Sequence, residues 1–252
     1  MSINLSTVET AFSIMETIGQ RGRVGAAALA RDLGLVRANV HRLLFTLEQL
    51  GYVEKSESGE YNLTFSLFEL GNTVPHSKNL IDTARPSMLR LAQVVGETVN
   101  NGVFFENEVL YIDKVDAAAY LRLDREIGST DPVHCTSLGK VLLAFQGKES
   151  REKIISTLPL IKKTENTITD PTRLEEECAR VEERGCAFDF QELSFELNCI
   201  AAPVFDAHGH IKSAISISGP SDRFTREKVE ASRPNLEATA REISRALAEC
   251  CG

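Results

Sequence analysis

The chain has 252 residues, enough for two domains that each bury a core. Hydrophobic and charged fractions of 42% and 25% are ordinary for a globular protein, and a net charge of −8 argues against a generally basic nucleic-acid coat. No apolar run approaches the ~18 residues of a membrane span, and MSINLSTVET lacks the basic and apolar regions of a signal peptide. A cytoplasmic protein with no membrane partner is expected.

Thr7 to Ile18 carries Val8, Ala11, Phe12, Met15 and Ile18 at helical spacing, with Ser6 or Thr7 as the expected N-cap. Gly25 to Leu47, GAAALARDLGLVRANVHRLLFTL, then reads as two short helices joined by a tight turn. Leu29 and Leu33 mark the first helix, and Val40, Leu43, Leu44 and Leu47 the second. Small Ala30 permits close approach of a crossing helix, Gly34 can take the positive φ that ends a helix, and Val40 turns an apolar face back. This is the spacing of a DNA-binding helix-turn-helix. An ordinary helical hairpin with a solvated face would share parts of the pattern.

Gly51 to Lys55 and Tyr61 to Leu63 read as strands around a polar turn holding Gly59, which is the wing of a winged helix. Residues 1–75 are therefore assigned to a winged helix-turn-helix domain. Arg37, Asn39, His41 and Arg42 lie near the start of the second helix, where Arg can chelate guanine and Asn adenine. With Arg23, Thr46, Lys55 and Ser58 they form the candidate contacts to double-stranded operator DNA. Residues 1–75 hold six basic against eight acidic side chains, net −2, so one module should grip phosphates weakly and an oligomer is expected.

Residues 76–97 are expected to form a linker helix. Ile81, Ala84, Met88, Leu91 and Val95 make a stripe that suits either a core or a dimer seam, and Pro86 should kink or restart the helix. From 98 to 252 the pattern becomes α/β (α+β). Strands are expected over Thr98–Phe105, Val109–Val115, Tyr120–Arg125, Cys186–Gln191, Asn198–Phe205 and Ile211–Ser218, and helices over Ser137–Phe145, Glu149–Thr157, Thr172–Arg184 and from Thr225 toward Cys250 with a kink at Pro234. One antiparallel or mixed sheet with packed helices follows. The six cysteines show no C-x-x-C spacing and read as buried hydrophobes or free thiols. His208-Gly209-His210 after Asp206 reads as a hairpin turn, so no metal and no cofactor are expected.

A small-molecule pocket can be argued from chemistry. Ser137, Leu138 and Gly139 stand at a helix start, where backbone N–H groups offer a site for a carboxylate. Ser216 and Ser218 share one strand face and can donate to a ligand oxygen; Cys199 offers a small wall; Asp189 can accept from a ligand hydroxyl.

The strings VHRLLFTLEQLGYV, FSLFELG, PVHCTSLGKVLLA, NCIAAPVFDAHG and AISISGP, in this order over most of the chain, resemble the IclR family of bacterial transcription regulators. Within the family the chain looks somewhat like the sugar-acid-responsive (2-keto-3-deoxygluconate regulator) branch. The resemblance implies a C-terminal GAF/PAS-like effector-binding domain, homodimers that often pair into tetramers, and repression or activation controlled by a small organic acid such as a keto, sugar or aromatic acid. It places effector contacts on Ser137, Leu138, Asp189, Leu197, Cys199, Ser216 and Ser218. The chain departs from the family with Arg37-Ala38-Asn39 where Ser-Thr is usual, and with Glu196 where Gly is usual, so operator sequence and effector identity do not carry over. A ligand-responsive regulator acting as a repressor is the leading reading, with no catalytic residues assigned. A DNA-bridging protein that senses nothing, or an enzyme using Cys199 or Ser137 with His134 as base, are the alternatives.

Overall fold

Leu5, rather than Ser6 or Thr7, caps the first helix, α1 (Ser6–Arg21), because the Leu5 carbonyl already accepts from the Val8 and Glu9 amides. This computed structural model describes residues 5–74, 77–116 and 126–250, so the strand expected over Tyr120–Arg125 lies outside the described residues. The chain divides into two compact units, 1–75 and 76–252.

In the first unit, β1 (Val24–Gly25) precedes α2 (Ala26–Asp32) and α3 (Arg37–Gln49). Gly34 takes φ +64° in the turn between the two helices, a conformation that a side chain would strain. The wing is β2 (Val53–Lys55) and β3 (Glu60–Leu63), and α4 (Phe65–Asn72) follows. The two-residue β1 has no periodicity of its own and was not legible in sequence; it pairs Val24 with Tyr61 and extends the wing to three strands in the order β1-β3-β2. Ile14, Ile18, Leu29, Val40, Leu44 and Val53 fill the core of this unit.

The second unit begins with α5 (Ser77–Val95), which runs through Pro86 without a break. Its apolar stripe is core: Leu80, Ala84, Met88 and Leu91 are buried against Val99, Ile215, Leu236 and Ile243. The middle of the expected stripe is thus taken up by the chain's own core, while Ile81 and Val95 at its ends are half-buried. Among the described residues the sheet has six strands, all antiparallel: β4 (Thr98–Phe105), β5 (Glu108–Val115), β6 (Thr130–Pro132), β7 (Ala187–Phe190), β8 (Leu197–Phe205) and β9 (Ile211–Pro220), in the order β6-β5-β4-β9-β8-β7. Helix α5 and the closing α9 (Arg226–Cys250), which also continues through its proline, cover one face. The other face carries α6 (Ser137–Ala144) and α8 (Pro171–Arg184), with α7 (Lys148–Thr157) packed on them. Helix α8 shows its ends in sequence: Asp170 caps Arg173 N at 2.9 Å, Pro171 sets the first turn, and Gly185 closes it in the left-handed region. Helix α6 is buried along its whole length, because Gly139 lets it sit against the chain at Val133; a Cβ there would meet Val133 Cα at 2.3 Å. No helix among the described residues is long and apolar enough to cross a membrane.

Candidate functional site

The first unit presents α3 outward. Val40, Leu44 and Leu47 are buried, so Arg37, Asn39, His41, Arg42 and Thr46 are exposed together. Arg42 Nη2 donates to Asn39 Oδ1 at 2.9 Å, so each holds the other's polar group at the surface, and the Thr46 hydroxyl donates to the Arg42 carbonyl. Arg23 lies just before β1 and Lys55 at the end of β2, the latter stacked 5.7 Å over the Tyr61 ring. Ser58 is in the wing turn, where its hydroxyl meets Ser56 and donates to Glu60 Oε2 at 3.1 Å. Phe45, 62% exposed, stands on the same outward face one turn after His41 and is missing from the sequence-derived set. The signal was available: four apolar residues already supply the inner face of this helix, which leaves Phe45 out of phase.

The second unit encloses a cavity of about 30 Å3 between α6 and the sheet. Strand pairing builds its floor. Asp189 lies opposite Cys199, Cys199 opposite Ser218, and Ser218 opposite Thr98, one row across four strands; Ser216 faces Asn100 in the next row. Ser137, Leu138 and Leu197 complete the sequence-derived residues that line it. Thr98, Asn100, Tyr111, Thr136 and Leu193 line it as well and were missed. Thr98 and Asn100, two apart on one strand, carried the same signal as Ser216 and Ser218, blurred by polar Asn101 on the other face of that strand.

Gly139 does not offer its N–H to the cavity, contrary to the sequence reading. The Thr136 hydroxyl caps α6 by accepting from Gly139 N at 3.0 Å, and Gly139 serves packing instead. The N–H groups of Ser137 and Leu138 remain, since the first turn of a helix has no intrahelical acceptors for them. Glu196 is exposed and does not line the cavity. The Asp206 to His210 turn is the expected hairpin loop, and no cluster of metal-ligating side chains occurs among the described residues.

Asp189 is 1% exposed; its Oδ1 accepts from Glu192 N at 2.7 Å, while Oδ2 is buried with no hydrogen-bond partner. Burial, then the neighbouring Glu192 carboxylate, pushes its carboxyl up to about 7, against the pull of Lys140. Lys140, on α6 and 2% exposed, pairs with Glu192 and lies 3.9 Å from Glu177. Asn100 Nδ2 donates to Ser216 Oγ at 3.3 Å and Ser218 Oγ at 3.2 Å. The site thus combines helix-start donors, hydroxyls and two acceptor side chains in a closed space. His134 Nε2 is held 3.1 Å from the Ile161 carbonyl, and His134 does not line the cavity. It has no role as base for Cys199 or Ser137 in this arrangement.

A family model described as the bacterial transcriptional regulator IclR C-terminal domain matches residues 72–245, and one described as the IclR helix-turn-helix domain matches residues 7–57. The chain is 34% identical over 242 residues to the HTH-type transcriptional regulator KdgR of Escherichia coli, covering 96% of this chain and 92% of that protein. It is 33% identical to the transcriptional repressor IclR of the same organism, covering 92% and 86%. Among solved structures, Thermotoga maritima IclR superposes with a TM-score of 0.79 at 30% identity, covering 97% and 100%. An IclR homologue from Microbacterium hydrocarbonoxydans, complexed with 4-hydroxybenzoate, superposes at 0.86 with 26% identity, covering 96% and 99%. These families and relatives are transcriptional regulators, not enzymes.

Proposed function

The chain belongs to the IclR family of bacterial transcriptional regulators, and from that premise we propose that it is a cytoplasmic repressor released from or tightened on operator DNA by a small carboxylic acid. The enclosed polar cavity of the second unit carries this reading. Its N–H donors at the start of α6 suit a carboxylate, and its floor of Cys199, Ser216 and Ser218 suits the rest of a short acid. At about 30 Å3 the unfilled space holds only about two waters. Any organic acid exceeds that space, so the lining must give to admit one: least for a compact acid, most for an aromatic acid of the kind bound by the Microbacterium homologue. Relatives named as repressors support the direction of control.

Operator reading falls to Arg37, Asn39, His41, Arg42 and Thr46 in the groove, with Arg23, Lys55 and Ser58 at the backbone. A second copy of the chain supplies the other half-site. The surface suited to it is an apolar groove of about 310 Å3 flanked by Val8, Phe12, Leu50 and Leu70, beside exposed Phe65 and Phe68. Such a patch on a module of net −2 favours self-association, because two weak phosphate grips then add. Anisotropy of a labelled promoter fragment, titrated with protein at several salt concentrations with and without short carboxylates, tests the whole reading. Salt-sensitive binding that one acid shifts is expected; binding indifferent to every acid would leave a DNA-bridging protein.

A further inference from the structure

Helix α3 turns one aromatic ring to solvent on the side away from its core. Val40, Leu44 and Leu47 are buried, whereas Phe45 is 62% exposed, with exposed His41 and Arg42 one turn before it and exposed Gln49 one turn after. Ala38, also exposed, stands seven positions earlier. Seven residues make two turns to within ~20°, so the Ala38 methyl and the Phe45 ring form one apolar line between polar neighbours. Arg42 turns its guanidinium toward Asn39 rather than over this ring, and the cation–ring contacts among the described residues involve Tyr61, Phe188 and Phe190. Nor does Phe45 line the apolar groove of Val8, Phe12, Leu50 and Leu70. A lone exposed apolar side chain is ordinary on a surface. A ring in line with a methyl, on the outward face of a helix that reads duplex, has a defined counterpart. Among the groups that base pairs present in the major groove, the thymine 5-methyl is the apolar one, and Ala and Phe carbons are suited to it.

We propose that Phe45 is a specificity-determining residue of the DNA interface, reading thymine through its 5-methyl group, with Ala38 extending the same apolar surface. The inference rests on the reading of α3 as the recognition helix. Arg37, Asn39 and Arg42 recognise by hydrogen bonds, which sort the purines. Phe45 adds a distinction those groups cannot make, that of thymine from uracil, through apolar area alone. Removing one buried methyl from such a contact weakens binding about fourfold.

Duplexes enriched by the full-length protein from a randomised pool supply the probe. Each thymine is then replaced in turn by deoxyuridine, which keeps every hydrogen-bonding group and removes only the methyl. Fluorescence anisotropy is expected to show about a fourfold loss of affinity at one or two positions with the native protein. With Phe45→Ala the ratio of thymine to uracil affinity at those positions should fall to about one. The readout is a ratio within each protein, so any general weakening of the variant cancels. Asn39→Ala should keep the native ratio, because it removes a hydrogen-bonding group six residues away. If no replacement weakens native binding more than about twofold, or if the loss persists in Phe45→Ala, the inference is overturned and α3 keeps its assignment. If no duplex is enriched and binding to the pool is indifferent to salt, the recognition-helix reading fails and this inference with it.

Discussion

Asn100 and Asn101 are consecutive on β4 and leave opposite faces of the sheet. Alternation puts Asn100 with Thr98 at the cavity, and Asn101 with Val99 on the face covered by α5 and α9. There Asn101 stands opposite Asp113, whose buried carboxylate pairs with Arg85 of α5. Asn101 is fully buried, and neither of its amide atoms has a hydrogen-bond partner. One strand thus joins the cavity wall to an anchor of the helix that opens the second unit.

Asn101→Leu, which removes two orphaned polar atoms at similar volume, should stabilise the fold by about 1 kcal/mol. Arg85→Ala should destabilise it by about 1–3 kcal/mol, since Asp113 keeps a buried charge without its partner; water screening at half-exposed Arg85 lowers the figure. Urea midpoints measure both. Opposite signs are the outcome that supports this account of the anchor.

Stability should fall between about pH 4 and pH 7. The Asp189 carboxyl, ordinarily near 3.8, is raised to about 7 by burial and by Glu192, against Lys140. The folded protein therefore holds a proton that the unfolded chain releases, and the stability this brings is complete below about pH 4 and lost as pH rises through about 7. A shift of about three units corresponds to at most ~4 kcal/mol. Asp189→Asn should flatten the dependence without abolishing it, because burial also raises the Glu192 and Asp113 carboxyls. Denaturant curves at pH 4, 5.5 and 7 compare the two proteins.

On operator DNA, Asn39→Ala and Lys55→Ala should behave differently. Loss of a base-reading side chain costs about 1–3 kcal/mol and relaxes preference at one position, whereas loss of a phosphate contact weakens all sequences alike and lowers the salt slope by about one. Asn39→Ala also frees Arg42 from its present partner. Binding to a panel of single-base operator variants, repeated at three salt concentrations, separates the two effects.

Charge introduced into the apolar face, as in Phe68→Glu, should leave the first unit folded and reduce assembly. Phe68 is 67% exposed, so its replacement leaves that unit's core intact, while a buried carboxylate at the interface would oppose docking. Sedimentation should show more monomer, and operator affinity should drop by at least tenfold. An unchanged oligomer would place the interface elsewhere.

Periodicity along the chain determined most of the elements, because helices and strands are local and their caps are written in neighbouring residues: Gly34 between α2 and α3, Asp170, Pro171 and Gly185 around α8. The recognition helix was legible for the same reason, and the pairing of Ser216 with Ser218 followed from strand alternation alone. What residues 197–220 could not reveal is which strands lie beside them. Only the folded sheet brings Asn100 and Thr98 of β4 against those serines, more than a hundred residues away, and sets Asp189 in the row of Ser218. Burial, likewise, is a tertiary property: it turns Ala84, Met88 and Leu91 of the α5 stripe into core, hands the Gly139 amide to Thr136, and raises the Asp189 carboxyl. Local spacing specifies a segment's shape, but the dielectric and the partners a side chain meets depend on chain that is distant in sequence.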